Sequence, residues 1–262
     1  MNLERELQVA VSAATEAGKL TENYFGKSPE EQGLSHKSPD HPVTKADIES
    51  NEVIMAQIKE AFPDDGWLSE ETVDSSERLE KERVWIVDPI DGTKEFIAGI
   101  PEYVISIGLA IAGEVVLGVV YQPSQKLYYK SVKGQGAFLG DDPLKVDVAA
   151  PEKPRLLVSR SETKRGDWKV YEQDFDLHPC GSIAYKLWRV AAGEFDGVIT
   201  LEPRSEWDIA AGIAILDEAG GRATLHDGSS ITYNAKKPVI PTGLIAACPE
   251  LVKRAVKVIG NR

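Results

Sequence analysis

The 262-residue sequence predicts a mixed fold, with an α+β part over residues 1–150 and a smaller α/β part over 151–262. Three observations carry this expectation. Apolar residues recur at helical spacing near the N-terminus, strand-and-turn patterning fills the stretch from 103 to 148, and strands alternate with helices from Pro151 onward. Parts of this size suit subdomains packed against one another.

Leu3, Leu7, Ala10, Val11, Ala14, Ala17 and Leu20 share one face of a first helix ending near Gly26. Residues 27–42, rich in Pro, Ser, Gly and charge, read as a mobile loop or a loosely held hairpin. Thr44-Lys45-Ala46-Asp47 fits a capping box opening a second helix, with Ile48, Ile54, Ile58 and Phe62 as its apolar face. Pro63-Asp64-Asp65-Gly66 ends that helix. Trp67-Leu68 is a short strand running into Ser69-Glu70-Glu71, and 72–83 is polar and loop-like. Val84-Trp85-Ile86-Val87 reads as a buried strand, and Lys94-Glu95-Phe96-Ile97 can begin a helix. Residues 103–112 and 115–121 flank Gly113-Glu114 as a hairpin, and 126–131, 138–139 and 144–148 continue the meander. In the second part, 156–159, 196–200, 223–225 and 244–247 are expected strands. Residues 182–192 and 207–219 are expected helices, with Gly220 past the second, and Pro249 opens the last helix.

Thirty basic against 42 acidic residues give a formal charge of −12, which argues against a nucleic-acid polymer as partner but permits a small phosphorylated substrate. No apolar run approaches the ~18 residues of a membrane span. The N-terminus lacks the basic and apolar regions of a secretory signal. Cys180 and Cys248 have no metal-ligand spacing and read as free thiols in a reducing cytosol, so a cytoplasmic location is expected. The run Gly134-Gln135-Gly136-Ala137-Phe138-Leu139-Gly140 misses a dinucleotide fingerprint by one residue and lies in the meander, where its glycines serve turns.

The densest signal is Asp88-Pro89-Ile90-Asp91-Gly92-Thr93, where a strand ends and a helix starts. Carboxylates bind Mg²⁺ and a new helix offers free N–H groups to phosphate. An ordinary Asp/Gly turn with Thr93 as cap reads equally well. Three more acidic features fall at element ends: Asp47, Glu70-Glu71 and Asp208. Each has a plain role too: a capping-box residue, solvated charge, and a helix N-terminal carboxylate. Together, Glu70, Asp88, Asp91 and Asp208 would make an all-oxygen site suited to Mg²⁺. Zinc would want His or Cys, and His36, His41, His178 and His226 show no paired spacing.

The hexamer, together with Trp207-Asp208-Ile209-Ala210-Ala211-Gly212, resembles the two signatures of the inositol monophosphatase superfamily, Mg²⁺-dependent and lithium-sensitive phosphomonoesterases. Ser69-Glu70-Glu71 and Pro42-Val43-Thr44-Lys45-Ala46-Asp47 match its other acidic landmarks, in order, from about residue 5 to 250. The resemblance implies a layered αβαβα sandwich. It implies one Mg²⁺ on Glu70, Asp88 and the Ile90 carbonyl, and a second on Asp88, Asp91 and Asp208. A weaker third would involve Glu70, Glu71 and water near Asp47. Thr93 and Asp47 would orient the attacking water and take its proton, with Glu70 close by. Asp91, Gly92, Thr93, Gly181, Ser182 and Glu202 would contact substrate.

Gly92-Thr93-Lys94-Glu95-Phe96 resembles the 3′(2′),5′-bisphosphate nucleotidases. Ile105-Ser106-Ile107-Gly108-Leu109 and Gly118-Val119-Val120-Tyr121 read equally as inositol enzyme. Lys94 and Arg204 are candidate partners for a second phosphate, although Arg204 also reads as a surface salt-bridge residue. Adenosine 3′,5′-bisphosphate, or its sulfated form, is therefore the leading substrate, with inositol or sugar monophosphates as the alternative. A non-catalytic phospho-ligand sensor is the reading from another class. Oligomeric state stays open between the monomer frequent among the nucleotidases and the homodimer frequent among the inositol enzymes.

Overall fold

The computed structural model describes residues 2–38, 41–146 and 149–260. In chain order, α1 (Glu4–Thr21) precedes a small hairpin of β1 (Ser35–Ser38) and β2 (His41–Val43), and then α2 (Lys45–Ala61). Next come β3 (Gly66–Ser69), a 3₁₀ turn at Ser76–Glu80, β4 (Arg83–Asp91) and α3 (Thr93–Ile97). The meander follows: β5 (Val104–Ile111), β6 (Glu114–Gln122), β7 (Leu127–Val132), β8 (Gly136–Leu139) and β9 (Asp142–Pro143). The remainder is β10 (Arg155–Ser159), α4 (Arg160–Arg165), β11 (Asp176–Cys180), α5 (Ile183–Ala191), β12 (Gly197–Ile199), β13 (Arg204–Ser205), α6 (Glu206–Glu218), β14 (Arg222–Thr224), β15 (Val239–Ile240), β16 (Ile245–Ala247) and α7 (Pro249–Gly260).

Strands β3 to β9 form one seven-stranded sheet in sequence order, antiparallel except for the β3–β4 pair. A second sheet runs β11-β10-β12-β16-β14. Both faces of the first sheet are covered, which explains the unbroken apolar run of β4. Trp85 and Val87 pack with α1 and α2, while Val84 and Ile86 join the core made by α5, α6 and the second sheet. Helices α4 and α7 lie against the second sheet, completing an αβαβα sandwich. Close approach sets the middle layer. A Cβ at Gly118 would collide with the Ala211 carbonyl and lie 2.9 Å from the Ala214 Cβ, so glycine lets α6 sit directly on the sheet.

Several expectations are corrected. The first helix stops at Thr21, short of Gly26, and the 72–83 stretch holds a 3₁₀ turn. The final strand of the meander is Asp142–Pro143, not 144–148. Leu144 and Val146 instead donate single backbone bonds to Ala137 and Ala219, while Asp147 and Val148 lie outside the described residues. Of the two readings of 27–42, a mobile loop or a loosely held hairpin, the hairpin agrees with the β1–β2 pairing, with Pro39 and Asp40 outside the described residues. No helix among the described residues is long and apolar enough to cross a membrane.

Candidate active site

A cleft of about 950 Å³ opens where β4, α3, α5 and α6 meet. Its floor is acidic because β3, β4 and α6 bring carboxylates there, with Asp47 of α2 beneath it in contact with Thr93. Strand β4 delivers Asp88 and Asp91, both buried. Glu70 follows β3, held in place by its N–H donating to the Val87 carbonyl at 3.3 Å. Asp208 is the third residue of α6, its Oδ2 accepting from the Ser205 N–H at 3.0 Å in a capping box. Asp47 occupies the same position in α2, its Oδ2 accepting from the Thr44 N–H at 2.8 Å and the Thr44 hydroxyl at 2.6 Å. The capping readings of Asp47 and Asp208 are therefore correct, and one carboxylate oxygen of each takes no part in them.

Carboxylate oxygens of Glu70, Asp88 and Asp208 lie within 4.8 Å of one another. Three converging carboxylates, with the Ile90 carbonyl lining the same cleft, are a hard all-oxygen donor set, and this chemistry fits Mg²⁺. Asp91 stands outside that trio. Its Oδ2 accepts from the Ser182 hydroxyl at 2.7 Å and the Ala184 N–H at 2.5 Å, which ties β4 to the start of α5.

Burial and mutual repulsion shape the electrostatics. Burial, then Glu70, Asp91 and Asp208, push Asp88 well above the ordinary aspartate range. Asp208 is raised in the same way by burial, Asp91 and Glu70. Burial lifts Asp47 and Asp91 to about 6 each, against hydrogen bonds that pull them down. A divalent cation among these groups would relieve the repulsion.

Thr93 opens α3. Its hydroxyl reaches Asp47 Oδ1 at 3.0 Å and the Ile90 carbonyl at 3.1 Å, and it can donate to only one at a time. Before it, Gly92 holds φ at +101°, a left-handed value that side chains resist. Gly181 and Ser182 border the cleft from α5. Ser182 has φ of +43°, and its Oγ donates to Asp91 while accepting the Tyr185 N–H at 3.0 Å. An observed outlier at a cleft wall, stabilised by two such contacts, is stored strain of the kind found at functional sites.

Lys94 is exposed on the cleft rim. Glu202 also lines the cleft, and Arg165 Nη2 holds its carboxylate at 2.6 Å. Arg204 does form a salt bridge, its own side chain 21% exposed, but the partner at 2.9 Å is Glu162, a side chain wholly removed from water. Its Nε has no partner among the described residues. Three cleft residues escaped the sequence reading. Arg160 bridges Glu95 at 3.0 Å and Glu102 at 2.6 Å, and Lys37 reaches Glu70. Lys186 is buried with one acceptor among the described residues, the Cys180 carbonyl at 3.2 Å. Burial lowers the Lys186 pKa. Lys186 lies four residues past Ser182 on a helix pattern that looked apolar, and a lone lysine inside it was the available signal.

The family model for the inositol monophosphatase family matches residues 2–257. Inositol monophosphatase 3 of Solanum lycopersicum is 34% identical, over 90% of this chain and 91% of its own. A histidinol-phosphatase of Chlorobaculum parvum is 32% identical, over 98% of this chain and 97% of its own. Among solved structures, an IMPase from Thermotoga maritima superposes with a TM-score of 0.84 at 28% identity, covering 98% and 97% of the two chains. CysQ from Bacteroides thetaiotaomicron, a bacterial member of the inositol monophosphatase family, gives 0.77 at 28% identity over 94% and 99%.

Proposed function

The chain belongs to the inositol monophosphatase family, and from that premise we propose that it is a Mg²⁺-dependent phosphomonoesterase whose substrate carries a second anion, adenosine 3′,5′-bisphosphate or its sulfated form. The observation that carries the chemistry is the convergence of Glu70, Asp88 and Asp208 beside the Thr93–Asp47 pair.

Glu70, Asp88 and the Ile90 carbonyl would hold one Mg²⁺, and Asp88, Asp91 and Asp208 would hold a second. Bound there, the ions supply charge neutralisation at the phosphate and activate water for attack. Thr93 Oγ1 accepts a hydrogen bond from that water while donating to Asp47. Buried Asp47, raised to about 6, accepts a proton more readily than a solvated aspartate does. Gly92 and Thr93 offer backbone N–H groups to the phosphate, and Gly181 and Ser182 flank the leaving alcohol.

The second anion is supported by cations that line the cleft, of which Lys186 and Arg204 also feel the acidic floor through Asp91 and Asp208. Among the described residues, the Lys186 ammonium has one acceptor and the Lys94 ammonium, on the rim, has none. Arg165, by contrast, already neutralises Glu202, which weakens Glu202 as a receptor for sugar hydroxyls. The alternative substrate, an inositol or sugar monophosphate, draws support from the tomato relative. A non-catalytic sensor would have no use for the Thr93–Asp47 pair. The deciding measurement is kcat/KM for adenosine 3′,5′-bisphosphate and for inositol 1-phosphate in one buffer. Preference for the inositol ester overturns the nucleotidase reading and leaves the phosphatase chemistry standing.

A further inference from the structure

Helix α4 turns one charged residue inward. Ser159, Arg160, Ser161 and Arg165 line the cleft, while Glu162 among them is wholly removed from water. Its Oε1 accepts from the Leu201 N–H and the Glu202 N–H, each at 3.2 Å, and from Arg204 Nη2 at 2.9 Å. Its Oε2 accepts from Trp168 Nε1 at 3.0 Å. Leu201, Glu202 and Arg204 belong to the stretch that leaves β12 and enters β13, and Glu202, Pro203 and Arg204 line the cleft. Burying a carboxylate is costly unless its lone pairs are filled. Here three of the four donors that fill them come from one wall of the cleft. Arg165 ties α4 to the same wall a second time, through the Glu202 side chain at 2.6 Å.

We propose that Glu162 is a positioning residue for the side of the cleft away from the phosphate. From the buried side it sets where the 201–204 wall stands, and so how well the enzyme holds the part of the substrate beyond the phosphate. The proposal rests on the phosphatase reading, in which the phosphate lies over the acidic floor at Gly92 and Thr93. Asp208 follows the wall closely in the chain but is anchored apart from it. Ser205 pairs with Val239 across β13 and β15, and its N–H donates to Asp208 Oδ2 at the cap of α6. Displacing the wall therefore leaves the floor in place. A shift of about 1 Å in a support of this kind can cost about 10²-fold in turnover efficiency.

Steady-state kinetics of Glu162→Gln tests this, on whichever of adenosine 3′,5′-bisphosphate and inositol 1-phosphate the wild type hydrolyses faster, with inorganic phosphate as competitive inhibitor. The amide keeps the size of the side chain and loses the charge that holds Arg204 and the two N–H groups. KM should rise about tenfold or more, while kcat and the Ki for inorganic phosphate stay within about threefold of wild type. Trp168→Phe removes the bond to Oε2 and spares those of Oε1, so it should lower the melting temperature and keep the wild-type KM. Hydrogen exchange gives a readout on the wild type itself, which also decides the matter should Glu162→Gln fail to fold: the Leu201 and Glu202 amides should exchange slowly. Exchange there as fast as in an exposed loop overturns the proposal. So does an unchanged KM in Glu162→Gln, a parallel rise of KM and phosphate Ki, or an equal rise of KM in Trp168→Phe. A wild type that hydrolyses neither ester removes the substrate reading, and the proposal falls with that premise.

Discussion

Thr93 Oγ1 lies 3.0 Å from Asp47 Oδ1, and this contact joins the first turn of α3 to the first turn of α2 at the cleft floor. Asp47 Oδ2 is already saturated by Thr44, so Oδ1 is the oxygen free to take a proton. Neither residue belongs to the converging trio of carboxylates. Loss of the hydroxyl should therefore impair turnover without loosening the ion.

Thr93→Val keeps the shape and removes the relay. It should lower kcat by about 10²–10⁴, the usual worth of positioned proton transfer, with Mg²⁺ affinity close to wild type. Thr93→Ser should retain most activity. Steady-state kinetics and a Mg²⁺ titration of the three proteins decide this, and a loss below about tenfold would take Thr93 out of the proton path.

The acidic floor should also make the metal-free protein pH-sensitive, in a direction set by the sign of the shifts. Asp47 and Asp91 are raised to about 6 in the fold, above their unfolded value, so the folded state binds more protons than the unfolded state. Their contribution is full below the unfolded pKa, near 4, and is lost as pH rises through about 6. Melting temperature without metal should fall across that window, and Mg²⁺ should restore it at pH 8. Asp88→Asn keeps the acceptor for the Ile90 N–H at 3.0 Å and removes the most crowded charge. It should melt above wild type at pH 8 without metal while losing turnover. Near-normal Mg²⁺-dependent hydrolysis by this variant would remove Asp88 as a ligand.

What the sequence revealed follows from which forces were local. Asp88 to Thr93 and Thr44 to Asp47 are legible because a strand end, a turn and a capping box are each encoded within six residues. Helix α4 was invisible because it has no apolar face. Its one buried residue is Glu162, whose carboxylate accepts from Trp168 Nε1 and from the backbone of Leu201 and Glu202, besides pairing with Arg204. Such a polar hub draws on partners some forty residues away. Strands β11 and β9 each contain a proline, Pro179 and Pro143, and both stand at sheet edges, where a missing N–H is tolerated. Proline disfavours a strand interior, so only the edge position in the folded sheet makes these two segments readable as strands. Lys37, Arg160 and Lys186 meet the site by long-range packing, which no local pattern records.

Gly92 offers a test of how tightly the phosphate cradle is built. A Cβ there would lie 2.7 Å from the Glu102 carbonyl and 3.1 Å from the Ser182 Cβ, at a φ of +101°. Gly92→Ala should destabilise the fold by about 2 kcal/mol or more, combining left-handed strain with a backbone collision. Activity should fall further than stability, because Thr93 and Ser182 move with the clash. Gly99 has a φ of +69°, and a Cβ at that position would meet nothing within 4 Å, so Gly99→Ala isolates the conformational part. It should lose about 1 kcal/mol and keep its turnover. Equal activity in the two folded variants would show that crowding at Gly92 has no catalytic consequence.

Lys186 separates the two substrate classes within one active site. Lys186 is 3% exposed, and its ammonium holds one acceptor among the described residues, the Cys180 carbonyl, which leaves N–H capacity unused near Ser182. An anion on the substrate would satisfy it, and a hydrogen bond between charged groups in such a place is worth about 1.5–3 kcal/mol. Lys186→Met should therefore raise KM for adenosine 3′,5′-bisphosphate by about 10- to 100-fold, with kcat changed far less. The KM for an inositol monophosphate, which has no second anion, should move little. Burial lowers the lysine pKa, so the wild-type preference for the bisphosphate should weaken as pH rises through that lowered value, and Lys186→Arg should keep its preference to higher pH. Parallel losses on both substrates would make Lys186 a packing residue and withdraw the strongest support for the nucleotidase reading.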